Sequence, residues 1–199
     1  MNHAIYGFIA GFSNRHQLAK ILRNSPRRQE THNVKPEALK ASGATVLALD
    51  FDGVLAPHGR TEPLPEATAW LVGCCAVFGE ERVFILSNKP TRERSAWFKA
   101  HFPGIRFISG VRKKPYPDGL FKVIELSASP PAEIVLLDDR LLTGVLATCL
   151  AGTSIAYINK PYTDFGSNPL AETFFATLRI IEQTLIRMVP ITNNERSNR

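Results

Sequence analysis

Two aspartates with one residue between them, Asp50 and Asp52, follow the short apolar run 45–49. A run of this length and composition is typical of a buried strand, and the glycine after Asp52 predicts a turn. Carboxylates placed in this way can face a single site, where one bonds to phosphorus as a nucleophile while the other moves a proton. A calcium loop also begins with Asp-x-Asp, but its later ligand positions hold Val54 and Pro57 here. The pattern therefore favours nucleophilic and acid-base chemistry over calcium binding.

Three later apolar runs are also followed by polar residues. Ser87 and Asn88 follow run 83–86, Lys114 lies on the loop after run 105–108, and Asp138 with Asp139 follows run 134–137. A hydroxyl and backbone N–H groups between a strand and a helix can hold phosphate oxygens, and an inward-facing lysine can offset negative charge. Adjacent acids beside apolar residues cost free energy unless a cation compensates them. Two of these signals also have an ordinary alternative, a turn or helix cap for the Ser-Asn pair and a solvated loop for the lysine.

Strand-like and helical patterns alternate along the chain from residue 45 onward. The runs 45–49, 83–86, 105–108, 134–137 and 155–158 predict strands, and the segments 66–78, 92–102, 119–126, 141–150 and 170–188 predict helices. This alternation predicts an α/β fold in which helices cover both faces of a parallel sheet. Ligands in such folds bind beyond the carboxyl ends of the strands. The candidate residues above are all expected at that edge.

The composition sets limits on the class of protein and on its partners. A chain of 199 residues with 44% hydrophobic residues is long enough for one domain with a sizeable core. Its 24 Lys+Arg exceed its 18 Asp+Glu, which favours anionic partners such as phosphorylated compounds, nucleic acid or an anionic bilayer surface. Three cysteines without metal-ligand spacing predict reduced thiols and a cytoplasmic location.

The N-terminus combines the short apolar stretch 4–12 with the basic region 15–28. The stretch is too short to span a bilayer, and its positive charge follows rather than precedes it, which disfavours an export signal. A helix docked on the domain and a segment lying in a membrane interface both fit this pattern. We therefore divide the chain into an amphipathic, basic segment and linker at 1–33, a main domain at 34–190 and a disordered tail at 191–199.

The order Asp-x-Asp, Ser, Lys, Asp-Asp, with each motif just beyond a strand, resembles the haloacid dehalogenase (HAD) superfamily of phosphotransferases over residues 46–158. The resemblance implies a Rossmann-like, three-layer α/β/α fold. It also implies that Asp50 is the nucleophile that forms an aspartyl-phosphate and that Asp52 is the general acid and then the general base. Phosphatases of the superfamily have an acid at the place of Asp52, whereas dehalogenases lack it.

The resemblance assigns the remaining motif residues to substrate phosphate and to metal. Ser87, Asn88 and Lys114 are the implied phosphate-binding residues, while Asp50, Asp138, Asp139 and the carbonyl of Asp52 are the implied ligands of Mg²⁺. The implied activity is a Mg²⁺-dependent phosphomonoester hydrolase.

The spacing of the motifs predicts an open site. The intervals 55–82 and 87–114 each have room for one helix and short connections, so neither can hold the large cap domain that encloses small substrates in many HAD phosphatases. An open site suits a phosphate carried on a bulky group such as a lipid, a protein or a nucleic acid.

Segment 136–150 looks like the corresponding segment of the capless YqeG-like branch (HAD subfamily IIIA), which includes phosphatidylglycerophosphate phosphatases. That branch typically reads Gly-Asp-Gln-Leu-x-Thr-Asp. Here Asp139 matches the first acid, Asp138 stands at the glycine and Gly144 stands where the second acid would be. Other members of the superfamily use an adjacent Asp-Asp pair, which this chain has.

The branch implies a phospholipid headgroup phosphate as substrate. For such a substrate, the basic residues beside the N-terminal apolar stretch favour peripheral contact at the inner face of an anionic membrane; they are Arg15, Lys20, Arg23, Arg27 and Arg28. A phosphatase of a soluble phosphomonoester or phosphoprotein is the main catalytic alternative. A non-catalytic module of the same fold that binds anionic partners is the alternative of another class. We find no specific nucleic-acid-binding motif.

Overall fold

Five short strands form one parallel sheet in the computed structural model, which describes the backbone of residues 3–190 and the side chains of residues 6–190. The strands are β1 Val46–Leu49, β2 Val83–Ile85, β3 Arg106–Phe107, β4 Ile134–Asp138 and β5 Ser154–Tyr157. Their order is β3-β2-β1-β4-β5, and every neighbouring pair is parallel. All four residues of the central strand β1 are fully buried, because both faces of the sheet are covered.

Eight α-helices surround the sheet in the described part of the chain. They are α1 His3–Ser13, α2 Arg15–Asn24, α3 Pro36–Ala41, α4 Pro65–Phe78, α5 Arg92–His101, α6 Asp118–Ser127, α7 Leu146–Ala151 and α8 Pro169–Arg187. Helices α4 and α5 pack on the sheet face that carries Leu47 and Leu49, and α6 and α7 pack on the face that carries Val46 and Ala48. The predicted Rossmann-like α/β architecture, with helices on both sides of a parallel sheet, is therefore confirmed.

The strands and most helices lie where the apolar periodicity predicts them, and Pro65 and Pro169 lie in the first turns of their helices. The predicted helix 141–150 differs. It begins as a π-helical turn, Leu141–Val145, and continues as α7. The Val145 N–H donates to the Arg140 carbonyl five residues earlier, at 3.1 Å, which widens this turn directly after Asp138 and Asp139.

The N-terminal residues pack against the sheet domain as two helices rather than one. Leu18 and Ala19 of α2 share an apolar cluster with Tyr157 of β5 and Ile186 of α8. Helix α1 contacts the π-helical turn. The predicted domain boundary at residue 34 stays a prediction, and the predicted tail 191–199 lies outside the described residues.

The connections near the carboxyl edge of the sheet are short. Between β1 and β2 the chain forms α4 and one 3₁₀ turn, and between β2 and β3 it forms only α5. Neither connection contains an additional domain, as the spacing predicts. Within residues 3–190, no helix is both long enough and apolar enough to cross a membrane.

Candidate active site

The carboxyl ends of the neighbouring strands β1 and β4 bring the predicted acids together. Asp50 follows β1 directly, and its N–H donates to the Leu137 carbonyl of β4 at 2.9 Å. The chain leaves β1 toward α4 on one face of the sheet and leaves β4 toward α7 on the other. This divergence makes the gap between β1 and β4 the topological switch point, where α/β folds bind their ligands.

Three carboxylates form a tight cluster at this point. Asp50, Asp138 and Asp139 each offer an oxygen within 4.8 Å of the others, with Asp138 and Asp139 buried and Asp50 partly buried. Burial raises the pKa of Asp50 from its usual 3.8 to about 8, against the opposing charge of Lys114. Burial, together with the charge of Asp138, raises the pKa of Asp139 to about 7. Carboxylate oxygens are the donors that Mg²⁺ takes in proteins, so this donor set fits a hard divalent cation.

Lys114 is buried in the middle of the acids, with a side chain that is 3% exposed. Its Nζ lies 3.1 Å from an oxygen of Asp50 and 2.5 Å from an oxygen of Asp138. Burial alone would lower the pKa of this amine, but the two carboxylates outweigh burial and raise its pKa above the usual value. The lysine therefore stays charged beside the predicted nucleophile.

Asn88 contacts the loop that carries Lys114. The Lys114 N–H donates to Asn88 Oδ1 at 2.8 Å, and Asn88 Nδ2 donates to the Lys114 carbonyl at 3.4 Å. Asn88 thus fixes the backbone of the lysine, while its predicted contact with phosphate stays a prediction. Ser87 is buried, and its Oγ accepts a hydrogen bond from the Lys89 N–H at 3.1 Å.

Asp52 faces a buried arginine, Arg94, that belongs to none of the four sequence motifs. Arg94 donates to both oxygens of Asp52, at 2.7 and 2.9 Å, and only 1% of this arginine is exposed. The guanidinium also lies 3.9 Å from the centre of the Phe51 ring and donates from Nε to the Arg60 carbonyl. Such two-pronged contacts fix the orientation of a carboxylate. Arg94 therefore positions the Asp52 side chain.

The position of Arg94 could have been inferred from Thr91, a residue type that often begins a helix. The Thr91 side chain accepts from the Arg94 N–H as an N-cap, so the arginine lies in the first turn of α5. Helix side chains tilt toward the N-terminus, and the N-terminus of a helix that follows a strand lies at the carboxyl edge of the sheet. An arginine at this position is thus able to reach the site.

Asp138 and Gly144 are sterically matched. A Cβ atom at position 144 would lie 2.0 Å from Cγ and from Oδ2 of Asp138, much closer than any real contact. The Asp138 carboxylate therefore occupies the space next to the π-helical turn that a side chain at 144 would need. Gly53 is required for a related reason, because it has a φ of +83° and a Cβ there would lie 2.8 Å from Asp139 Oδ2.

Helix α8 contributes charged residues that no motif predicts. Arg179 lies 2.6 Å from Asp139 Oδ2. Glu182 accepts from the Leu141 N–H at 3.0 Å and pairs with Arg140. These charged residues, together with Glu172, are buried on one face of the helix. Their spacing of seven and three residues places all three on one side of a helix, so a charged helix face could have been predicted from the sequence.

Each acid of the site thus has a cationic partner within the described residues. Asp50 and Asp138 share Lys114, Asp52 pairs with Arg94, and Asp139 pairs with Arg179. Neither a model of a known protein family nor a curated protein sequence matches the chain. Inference about its function therefore depends on the geometry of these groups.

Proposed function

We propose that the protein is a Mg²⁺-dependent phosphatase that acts through an aspartyl-phosphate on Asp50. The observation that carries the proposal is the position of buried Lys114 between Asp50 and Asp138, inside a three-carboxylate cluster at the switch point of the sheet. A phosphate ester brings negative charge to a nucleophile that is itself negative, so a catalyst must supply fixed positive charge at that place.

Each residue then has a defined task. An oxygen of Asp50 bonds to phosphorus as the ester P–O bond breaks, and Asp52 donates a proton to the departing oxygen. Asp52 next takes a proton from water, whose oxygen attacks phosphorus and releases phosphate from Asp50. Lys114 offsets charge on Asp50 and on the phosphoryl oxygens throughout, and Arg94 keeps Asp52 oriented.

The metal would be held by Asp50, Asp138 and Asp139, with the Asp52 carbonyl as a further ligand. When bound, Mg²⁺ neutralises charge between the Asp50 carboxylate and the phosphoryl oxygens. The raised pKa values of Asp50 and Asp139 support this assignment. They show that burial disfavours the charged form of both carboxyls more than the neighbouring cations favour it, and a bound metal would favour the charged form further.

The short connections near the site support the substrate class that we propose. One α-helix and a 3₁₀ turn connect β1 to β2, and one α-helix connects β2 to β3, so no additional domain keeps a phosphate on a bulky group from Asp50. We propose a phospholipid headgroup phosphate, of the phosphatidylglycerophosphate kind, with a soluble phosphomonoester or a phosphoprotein as the alternative substrate. A cytoplasmic setting is part of the proposal, and the three free cysteines support it.

One observation favours a second candidate, a non-catalytic module that binds anionic partners. Every acid of the site already has a protein cation within 3.1 Å. These ion pairs give each acid a partner without a metal, as expected of a site that has no catalytic metal. The two candidates differ in whether Mg²⁺ enables phosphate release.

The test is a phosphate-release screen over lipid, sugar, nucleotide and phosphopeptide substrates, with and without Mg²⁺. We expect release that requires Mg²⁺ and that falls to background in Asp50→Asn. The matched control is Asp118→Asn, which removes a carboxylate that pairs with exposed Arg112 at the start of α6. This control should release phosphate at the wild-type rate. Substantial turnover by purified Asp50→Asn would overturn the assignment of the nucleophile, and no release on any substrate would favour the binding module.

A further inference from the structure

Helix α8 has its charged residues on the inside and its apolar residues on the outside. The exposed large apolar residues of α8 and of the position directly after it are Leu170, Phe174, Ile180, Ile181, Leu185 and Met188, with exposed fractions from 48% to 86%. Threonines lie between them on the same exposed side. Glu172, Arg179 and Glu182 face the catalytic loops, so the only exposed charged side chain of α8 is Arg187 at its end.

An apolar face of this size is uncommon on a protein surface that meets only water. Scattered exposed apolar residues are normal, but a row of large ones along a helix of 19 residues marks a surface that contacts another apolar phase. The outward apolar residues of α8 do not take part in packing against the domain. The inward face of the helix is occupied by charged residues that contact the loops after β1 and β4.

Helix α1 adds a second exposed apolar face. Phe8, Ile9 and Phe12 are 67%, 53% and 64% exposed. No residue of α1 is acidic, and Arg15, the first residue of α2, lies over the Phe12 ring at 4.5 Å. The apolar face of α1 therefore passes directly into basic sequence.

Both helices contact the loops that carry the catalytic residues. Tyr6 of α1 stacks on Tyr116, two residues after Lys114, with ring centres 4.1 Å apart. At the start of α8, Glu172 accepts from the His58 N–H at 2.9 Å, in the loop that follows Asp52. Helices α1 and α8 also both pack against the π-helical turn that follows Asp139. The two helices that carry the apolar faces are thus attached to the loops around the site.

The charge distribution selects an anionic bilayer over a second copy of the chain. Residues 1–29 contain no acid, and their basic residues are Arg15, Lys20, Arg23, Arg27 and Arg28. The whole chain carries a net charge of +6. Two copies joined through this region would bring like charges together, whereas an anionic headgroup layer complements them.

We propose that the exposed apolar faces of α1 and α8 form a docking surface for an anionic lipid bilayer, with the basic region 15–28 at the headgroups. The apolar side chains enter the boundary between headgroups and acyl chains, as interfacial helices do. The open site then lies next to the bilayer surface. Its action on a phosphate held there rests on the proposed function, but the docking itself does not.

The test is flotation of the full chain with vesicles at low salt. Wild type should float with vesicles of phosphatidylcholine mixed with phosphatidylglycerol and should remain unbound to phosphatidylcholine alone. Phe174→Ser/Ile181→Ser should lower the bound fraction by about tenfold or more, because two large apolar groups no longer leave water. The matched control is Phe121→Ser/Leu126→Ser, which removes the same kind of exposed residue from α6 and should float as wild type does.

Two outcomes would overturn the docking surface. One is equal flotation of Phe174→Ser/Ile181→Ser and wild type. The other is a wild-type dimer in sedimentation equilibrium that this variant converts to monomer, which would make a second copy the occupant. Thermal unfolding checks that the variant is folded. Lys20→Gln/Arg27→Gln, which removes two positive charges, should separately lower binding to anionic vesicles.

Failure of the docking surface is distinguishable from failure of the proposed function. Hydrolysis of soluble p-nitrophenyl phosphate needs no membrane, so Phe174→Ser/Ile181→Ser should keep the wild-type rate on it. Asp50→Asn should lose that rate but still float.

Discussion

At the residue scale, the Asp138 carboxylate occupies the space that a side chain at position 144 would need. The Asp138 carboxylate pairs with Lys114 and belongs to the acid cluster, and it lies where a side chain at 144 would otherwise project. The backbone of Gly144 is not left-handed, so its conformation does not require glycine. What excludes a side chain at this position is the Asp138 carboxylate. The acid that the resemblance leads one to expect at 144 is thus replaced, in space, by the acid at 138.

This steric exclusion predicts the behaviour of single and double substitutions. Gly144→Ala should lower Mg²⁺-dependent phosphate release by about a hundredfold, because it displaces the Asp138 carboxylate by an ångström or more. Asp138→Gly should also lose activity, and Asp138→Gly/Gly144→Asp should regain a large part of it by returning a carboxylate to the same space. Steady-state rates with a soluble phosphomonoester measure all three.

The control for this series is Gly73→Ala on α4, where an added Cβ comes no closer than 4.0 Å to Pro36. That variant should keep full activity. The steric explanation would be wrong if Gly144→Ala released phosphate at the wild-type rate, or if the double variant were no faster than Asp138→Gly.

At the scale of elements, the sequence predicts the position of the acids well because parallel strands bring their carboxyl ends to one edge. The run 134–137 before Asp138 is wholly apolar, and the run 45–49 before Asp50 is apolar apart from Thr45. Their identity as buried strands therefore does not depend on distant contacts. The convergence of Asp50, Lys114, Asp138 and Asp139 follows from that fold class alone.

The supporting residues could not be predicted in the same way. Whether Arg94 of α5 meets Asp52, or Arg179 of α8 meets Asp139, depends on how each helix is rotated about its axis when it packs. For α8 the usual rule even gives the wrong side, since apolar faces ordinarily turn inward. Here the buried ion pairs with the catalytic loops fix the rotation, and the apolar face is exposed as a result.

At the scale of the whole molecule, the acid cluster couples stability to pH and to metal. The folded state raises the pKa of Asp50 to about 8 and that of Asp139 to about 7, so it holds their protons more tightly than the unfolded chain does. Their contribution to stability is therefore complete below the usual pKa of 3.8 and is lost as the pH rises through 7 to 8. At the proposed metal site, a divalent cation would bind the deprotonated acids and so reverse this loss.

Magnesium should accordingly stabilise the protein more at high pH. We expect the increase in Tm caused by Mg²⁺ to be small at about pH 5.5 and clearly larger at about pH 8.5, since protons compete with the metal for the same oxygens. Thermal unfolding with and without MgCl₂ measures this, with Asp50→Asn as the variant that should respond least. A Mg²⁺ effect that is equal at both pH values, or larger at the lower one, would show that the metal binds elsewhere.

If Asp50 carries the phosphoryl group during turnover, covalent trapping will locate that group on it. Rapid quenching during turnover, followed by borohydride reduction, converts an aspartyl-phosphate to homoserine, which peptide mass spectrometry locates in the chain. We expect homoserine at position 50 only when both Mg²⁺ and a phosphomonoester are present, and none in the Asp50→Asn protein. Turnover without a trapped residue, or a trapped residue at any position other than 50, would contradict the assignment of Asp50 as the nucleophile.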